Sequence, residues 1–119
     1  YCNSKSYATK VIFTTTPVDG SHYVKKELGW QNHLQHEHIR SFVAEDHSRI
    51  LFDYADILCY DDGSTEPATS TWNGNVYPII TTANGIPEET GHITKSGAIR
   101  LAKAMWWMLA RIAGWEEVS

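Results

Sequence analysis

Glu89-Thr90-Gly91-His92 sets a carboxylate and an imidazole three residues apart, directly ahead of Thr94-Lys95-Ser96-Gly97-Ala98-Ile99, which reads as the start of a helix. A histidine in that position meets the positive end of the helix dipole, which disfavours imidazolium and keeps the ring in the neutral form that a general base needs. The acid can hold the ring tautomer. Acid and base are two of the three parts of a hydrolase triad, and no serine or cysteine of the chain declares itself as the third. The competing reading is a polar turn that only caps the helix.

Three further groups carry side chains capable of chemistry. His33, His36 and His38 form a His-x-x-His-x-His cluster. On a helix, however, His36 and His38 point to nearly opposite sides, so the three do not share one metal ion, and solvated helix histidines are the favoured reading. Asp53 and Asp56 lie near the end of an apolar run, at the point where ligands of open parallel sheets gather, or they simply cap and turn the chain there. Trp72, Asn73, Asn75 and Tyr77 are residue types that stack on and hydrogen-bond a sugar ring; a loop packing its own aromatics has the same composition. Trp72, Asn75 and Tyr77 are the substrate-binding candidates.

The elements that position these groups follow from pattern. Val11 to Thr16 is β-branched and apolar and runs into the turn Pro17-Val18-Asp19-Gly20, which predicts a strand. Ser21 to Trp30 reads as a loop. From about Asn32, a candidate N-cap, to about Glu45, Leu34, Ile39, Phe42 and Val43 give a helix with one apolar side. Ile50 to Ile57 predicts a second buried strand, so strand, helix, strand implies a parallel crossover and an α/β class. Asp61 to Gly91 is turn-rich, with Val76 to Ile80 as its short apolar interruption, and reads as a long functional loop. The last helix is predicted from Lys95 to Ala113, with Gly114 in the left-handed C-terminal position and Trp115 folding back on the last turn. Its single polar strip holds Ser96, Arg100, Lys103, Trp107 and Arg111, with Trp106 facing away.

Composition narrows the classes. The 119 residues are 42% hydrophobic with a net charge of -4, which describes one domain over residues 1–119 with a modest core. The ten basic residues are dispersed, which argues against nucleic acid as a partner. Ala104 to Ala110 is apolar but bracketed by Arg100, Lys103 and Arg111, and it is far shorter than the roughly 20 residues of a membrane span. Cys2 and Cys59 fit no metal spacing, and each is either free or paired. Tyr1 in place of an initiating Met reads as a trimmed or processed chain or a fragment, and the compartment stays open.

The acid-x-x-His element before the C-terminal helix resembles the last sequence block of the SGNH (GDSL-type) hydrolases, in which the acid is usually Asp and the His is the base. Val11 to Gly20, Ile39-Arg40 and Leu51 to Ile57 extend the resemblance. So does the ending Trp106-Trp107-Met108-Leu109-Ala110-Arg111-Ile112-Ala113-Gly114-Trp115, which is similar to that of a bacterial subgroup of SGNH-like proteins. The match spans most of the chain but corresponds to the C-terminal part of a family domain. The resemblance implies a partial three-layer flavodoxin-like fold with a small parallel sheet, and hydrolysis of an acyl or acetyl ester, as on a carbohydrate, with no metal or organic cofactor. It implies His92 as base and Glu89 as its orienting acid. The family's nucleophilic Ser, oxyanion Gly and Asn belong upstream of Val11, where this chain has almost nothing. Asp62-Gly63-Ser64 echoes the nucleophile turn but follows the wrong strand and reads as an ordinary turn. The expected partners are therefore a missing N-terminal half or a second copy of the chain. The rival expectation is a non-catalytic α/β binding or interaction protein, dimeric because its sheet edge is open.

Overall fold

The β-branched segment after Lys10 forms a short strand, β1 (Ile12–Thr14), that pairs in parallel with β2 (Ile50–Phe52) in the register Ile12 with Ile50, Phe13 with Leu51 and Thr14 with Phe52. The computed structural model describes residues 4–5, 8–18, 20, 25–86 and 92–115. Between the two strands runs α1 (Lys26–Ala44), so the expected strand, helix, strand order is present. Side chains alternate across the strands as the pleat requires. Phe13 meets Phe42 of α1 edge to face at 5.5 Å, while Ile12, Thr14 and Phe52 line the opposite face of the sheet.

α1 begins at Lys26, within the segment expected to be loop, and its N-cap Lys25 makes no side-chain cap bond. Asn32 therefore lies inside the helix and does not cap it. The expected apolar side is also corrected, because Leu34 is 43% exposed and Phe42 is exposed as well. The face that turns inward carries Gly29, His33, His36, Arg40 and Val43 at the three- and four-residue spacing of one helical face.

β2 is shorter than expected. It stops at Phe52 because the carboxylate of Asp53 accepts a hydrogen bond from the Asp56 amide at 3.3 Å and caps α2 (Tyr54–Leu58), converting the second half of the apolar run into a helical turn. The turn-rich stretch after it holds a second, antiparallel sheet. Strands β3 (Thr69–Trp72) and β4 (Asn75–Pro78) form a hairpin around Asn73 and Gly74, whose φ values of 49° and 77° are those of a two-residue turn matched to strand twist. The hairpin packs on α1 through Tyr77, which is 3% exposed and lies against Gly29 and Trp30.

α3 (Lys95–Ile112) matches expectation at both ends. Gly114 has φ 89°, the Trp115 amide donates to the Ala110 carbonyl at 3.0 Å, and the Trp115 ring meets Trp107 at 5.3 Å. α3 packs on α2 and borders the face of the parallel sheet that α1 does not cover. Among the described residues the buried apolar groups are few: Val43, Phe52, Ala55, Leu58, Cys59 and Tyr77. No described helix is long and apolar enough to cross a membrane. The chain is a mixed α/β protein with one small parallel and one small antiparallel sheet.

Candidate functional site

Glu89 lies outside the described residues, and His92 sits exposed at the entry to α3. The backbone around His92 is fixed on several sides. Gly85 and Ile93 form an isolated antiparallel bridge, and the Ile86 amide donates to the His92 carbonyl at 3.2 Å. Thr94 then caps α3: its hydroxyl accepts from the Gly97 amide at 3.0 Å and donates to the Ala83 carbonyl at 2.5 Å. Under this turn, buried Asn84 uses its side-chain amide to donate to the carbonyls of Leu58 at 3.1 Å and Tyr60 at 2.8 Å, and its own carbonyl accepts from the Thr94 amide at 2.9 Å. One asparagine thus ties the end of α2 to the start of α3. Gly97 is required by this closeness, because a Cβ there would sit on the Asn84 carbonyl.

A second polar assembly occupies the carboxyl ends of β1 and β2. Asp53 receives Arg40 in a two-pronged pair, Nε to Oδ2 at 2.6 Å and NH2 to Oδ1 at 2.9 Å, and also the Thr15 hydroxyl at 3.0 Å. The same Thr15 oxygen accepts from the Ala55 amide at 2.9 Å, and the Arg40 NH1 donates to Glu37 at 2.5 Å. Burial alone would raise the Asp53 carboxyl, but Arg40 and the amide and hydroxyl donors hold it below the usual carboxylate range. Asp53 holds Arg40 above the ordinary arginine value. Beside this pair His36, 3% exposed, shares a 2.6 Å hydrogen bond through Nε2 with the Thr16 hydroxyl. Burial and the neighbouring Arg40 charge push its pKa down, which favours the neutral ring, and the ring's tautomer sets which of the two partners donates in this bond.

These placements settle several expectations. His36 is not a solvated helix histidine: it is a buried partner of Thr16. His33 stacks tilted on Trp30 at 5.4 Å, and burial lowers its pKa too; His38 is exposed. Asp53 has its oxygens committed to four donors and is a structural cap and lock. Asp56 is exposed in outline, yet partial burial of its carboxyl and the nearby Asp53 raise its pKa. Of the three substrate-binding candidates, Tyr77 cannot stack on a sugar because its ring is spent under α1, a correction to the expectation. Trp72 and Asn75 pair at the end of the hairpin and are half-buried. Nothing in the described residues joins the hairpin to His92 in one site.

Thr15, Thr16 and Arg40 enter the sequence analysis only as parts of a strand and of a resemblance, and their bonds to Asp53 and His36 are a finding of the structure. The available signal was the alignment of His36 and Arg40 one turn apart, facing an acid placed just after the next strand of the same crossover. Cys59 is buried and unpaired in any disulfide among the described residues, and burial pushes its thiol up to about 12, so it is no nucleophile at neutral pH. The first turns of α3 also wall a cleft of about 540 Å³ against α2, lined by Asp56, Tyr60, Ser96, Arg100 and Lys103. There Arg100 is committed to the Ile57 carbonyl and to Asp62, each at 2.6 Å. No protein-family model matches the chain, and neither a curated protein nor a solved structure is detectably similar to it.

Proposed function

We propose that this chain carries the general-base arm of a serine-type ester hydrolase of the SGNH kind, acting on an acyl or acetyl ester such as one on a carbohydrate. The observation that carries the reading is His92: an exposed imidazole on a loop held by the Gly85 and Ile93 bridge, the Thr94 cap and buried Asn84. In this reading the parallel sheet and α1 and α3 are the C-terminal part of a three-layer flavodoxin-like domain. Glu89 orients the ring. A serine hydroxyl supplied from outside the 119 residues gives its proton to His92 as it attacks the ester carbonyl, and backbone donors from the same source hold the oxyanion. The imidazolium then protonates the leaving alcohol, and water, deprotonated by the same ring, releases the acid. Cys59 is unsuited to replace the serine, because its buried thiol is protonated.

The test is hydrolysis of an aryl acetate by the longest natural form of the protein, together with labelling by a fluorophosphonate. His92→Ala should remove at least 1,000-fold of the rate while leaving the circular dichroism spectrum unchanged, on the scale of triad losses. Activity retained in His92→Ala, or an inactive natural protein, refutes the proposal. The second reading, a non-catalytic interaction protein, is favoured by one observation: Trp106 on α3 is 77% exposed beside an open apolar groove.

A further inference from the structure

Asn-Gly occurs twice in the chain, as Asn73-Gly74 and Asn84-Gly85, and the fold treats the two pairs oppositely. This dipeptide carries a chemistry of its own. The glycine nitrogen attacks Cγ of the asparagine side chain, an approach that no Cβ on the glycine crowds. The new N–Cγ bond closes a five-membered succinimide as the Cγ–Nδ2 bond breaks, and Nδ2 leaves as ammonia with the glycine proton. Water then opens the ring at either carbonyl. One opening gives aspartate, and the other gives isoaspartate, whose main chain runs through the former side chain. Three things set the rate: a free glycine N–H, a free side-chain amide, and a backbone able to rotate into line.

Asn84-Gly85 is closed on all three counts. Asn84 is 4% exposed, and the nitrogen that must leave donates to the carbonyls of Leu58 at 3.1 Å and Tyr60 at 2.8 Å. The Gly85 amide, the required nucleophile, donates to the Thr81 carbonyl at 2.9 Å, and the bridge to Ile93 pins the backbone. Asn73-Gly74 is open on all three. Both residues are exposed at the tip of the hairpin, and no group among the described residues bonds the Gly74 amide or the Asn73 side chain. Nothing lies within 4 Å of where a Gly74 Cβ would stand. The nearest restraint is the Asn75 side-chain amide, which reaches the Asn73 carbonyl at 3.4 Å, beyond the usual hydrogen-bond range. Asn73 must rotate out of its left-handed turn conformation, φ 49°, for the attack. Loop tips make such excursions in about nanoseconds to microseconds, far faster than the covalent step.

We propose that Asn73 is a site of spontaneous covalent modification in the folded chain, losing its amide through a Gly74 succinimide to give aspartate and isoaspartate, while Asn84 keeps its amide. Either product places a new negative charge at the hairpin tip. Isoaspartate also adds a main-chain carbon between Trp72 and Asn75, which spoils the two-residue turn that matches the strand twist. The reaction is independent of whether His92 serves an esterase.

The full chain held at pH 8 and 37 °C for several weeks, beside a sample unfolded in urea, tests the proposal by fragment-ion mass spectrometry. In the folded sample, conversion at Asn73 should outrun conversion at Asn84 by about 20-fold or more, because Asn84 reacts only through local opening. In urea the two should convert at similar rates. Isoaspartate should be found at position 73, and Asn73→Gly, which suits the left-handed turn, should abolish it with an unchanged circular dichroism spectrum. A folded chain that keeps the Asn73 amide while the unfolded chain loses it overturns the proposal, as do equal rates at the two asparagines in the folded state. Conversion of Asn73 to aspartate with no isoaspartate also overturns it, because direct hydrolysis then bypasses Gly74.

Discussion

Removing the carboxylate of Asp53 is the most direct test of how the crossover is held. In Asp53→Ala, Arg40 loses bonds of 2.6 and 2.9 Å, the Thr15 hydroxyl loses its acceptor, and α2 loses its N-cap. A charge-assisted hydrogen bond is worth about 1.5–3 kcal/mol and a cap about 1 kcal/mol, and stranding a fully buried charge costs about 3–5 kcal/mol. The Arg40 and Asp53 side chains retain 22% and 23% of their exposure, so water recovers part of that cost. The expected loss is about 3 kcal/mol, a large share of the roughly 5–15 kcal/mol that holds a domain of this kind. Urea titration followed by tryptophan fluorescence at one fixed protein concentration measures it. Arg40→Met in the same background should cost little more, because the two residues act as a unit. The pH dependence provides a second reading. The folded Asp53 pKa is depressed, so its contribution is complete above the ordinary value of 3.8 and is lost as pH falls through the lower folded value. A loss below about 1 kcal/mol, or additive costs for the two substitutions, refutes the lock.

Buried His36 and half-buried His33 carry a milder acid sensitivity. The His36 and His33 pKa values lie below the ordinary 6.5, so stability should be level above that pH and decline below it as the unfolded chain takes up protons first; a urea midpoint unchanged between pH 7.5 and 5 would contradict this. His36→Gln should flatten that decline. Gly97→Ala should cost about 1–3 kcal/mol because its methyl meets a backbone carbonyl that cannot swing aside, and a melting temperature within 1 °C of wild type would show the turn to be softer than described. In a Cys2→Ser background, Cys59 should resist an aromatic disulfide reagent at pH 8 until urea unfolds the chain; prompt reaction without urea would place the thiol at the surface.

The sequence was readable wherever local pattern decides structure. β1 and its parallel partner, the extent of α3, the left-handed Gly114 and the returning Trp115 all follow from β-branching, periodicity and end signals that act over a few residues. α1 misled because its inward face is polar: Leu34 and Phe42 advertise an apolar side, whereas His36 and Arg40 point inward because partners 13 to 20 residues away in sequence receive them. The capping reading of Asp53 holds, but the predicted β2 runs on to Ile57 because the apolar alternation continues past the residue whose cap ends the strand. The hairpin hid in a turn-rich stretch whose Asn73-Gly74 pair is the strongest short hairpin signal. Of the proposed acid and base pair, His92 is placed and Glu89 is outside the described residues.

The inward side of α1 has a consequence beyond stability. An apolar helix face can slide or roll against a sheet and lose only a fraction of its contacts, because grease has no direction. Here Arg40 finds its carboxylate, and His36 its hydroxyl, at one rotation and one height only. A slip by one residue turns the helix by about 100° and leaves both groups facing the wrong neighbours. α1 is therefore indexed like a toothed bar, and drift in its sequence must move both sides of each pair together.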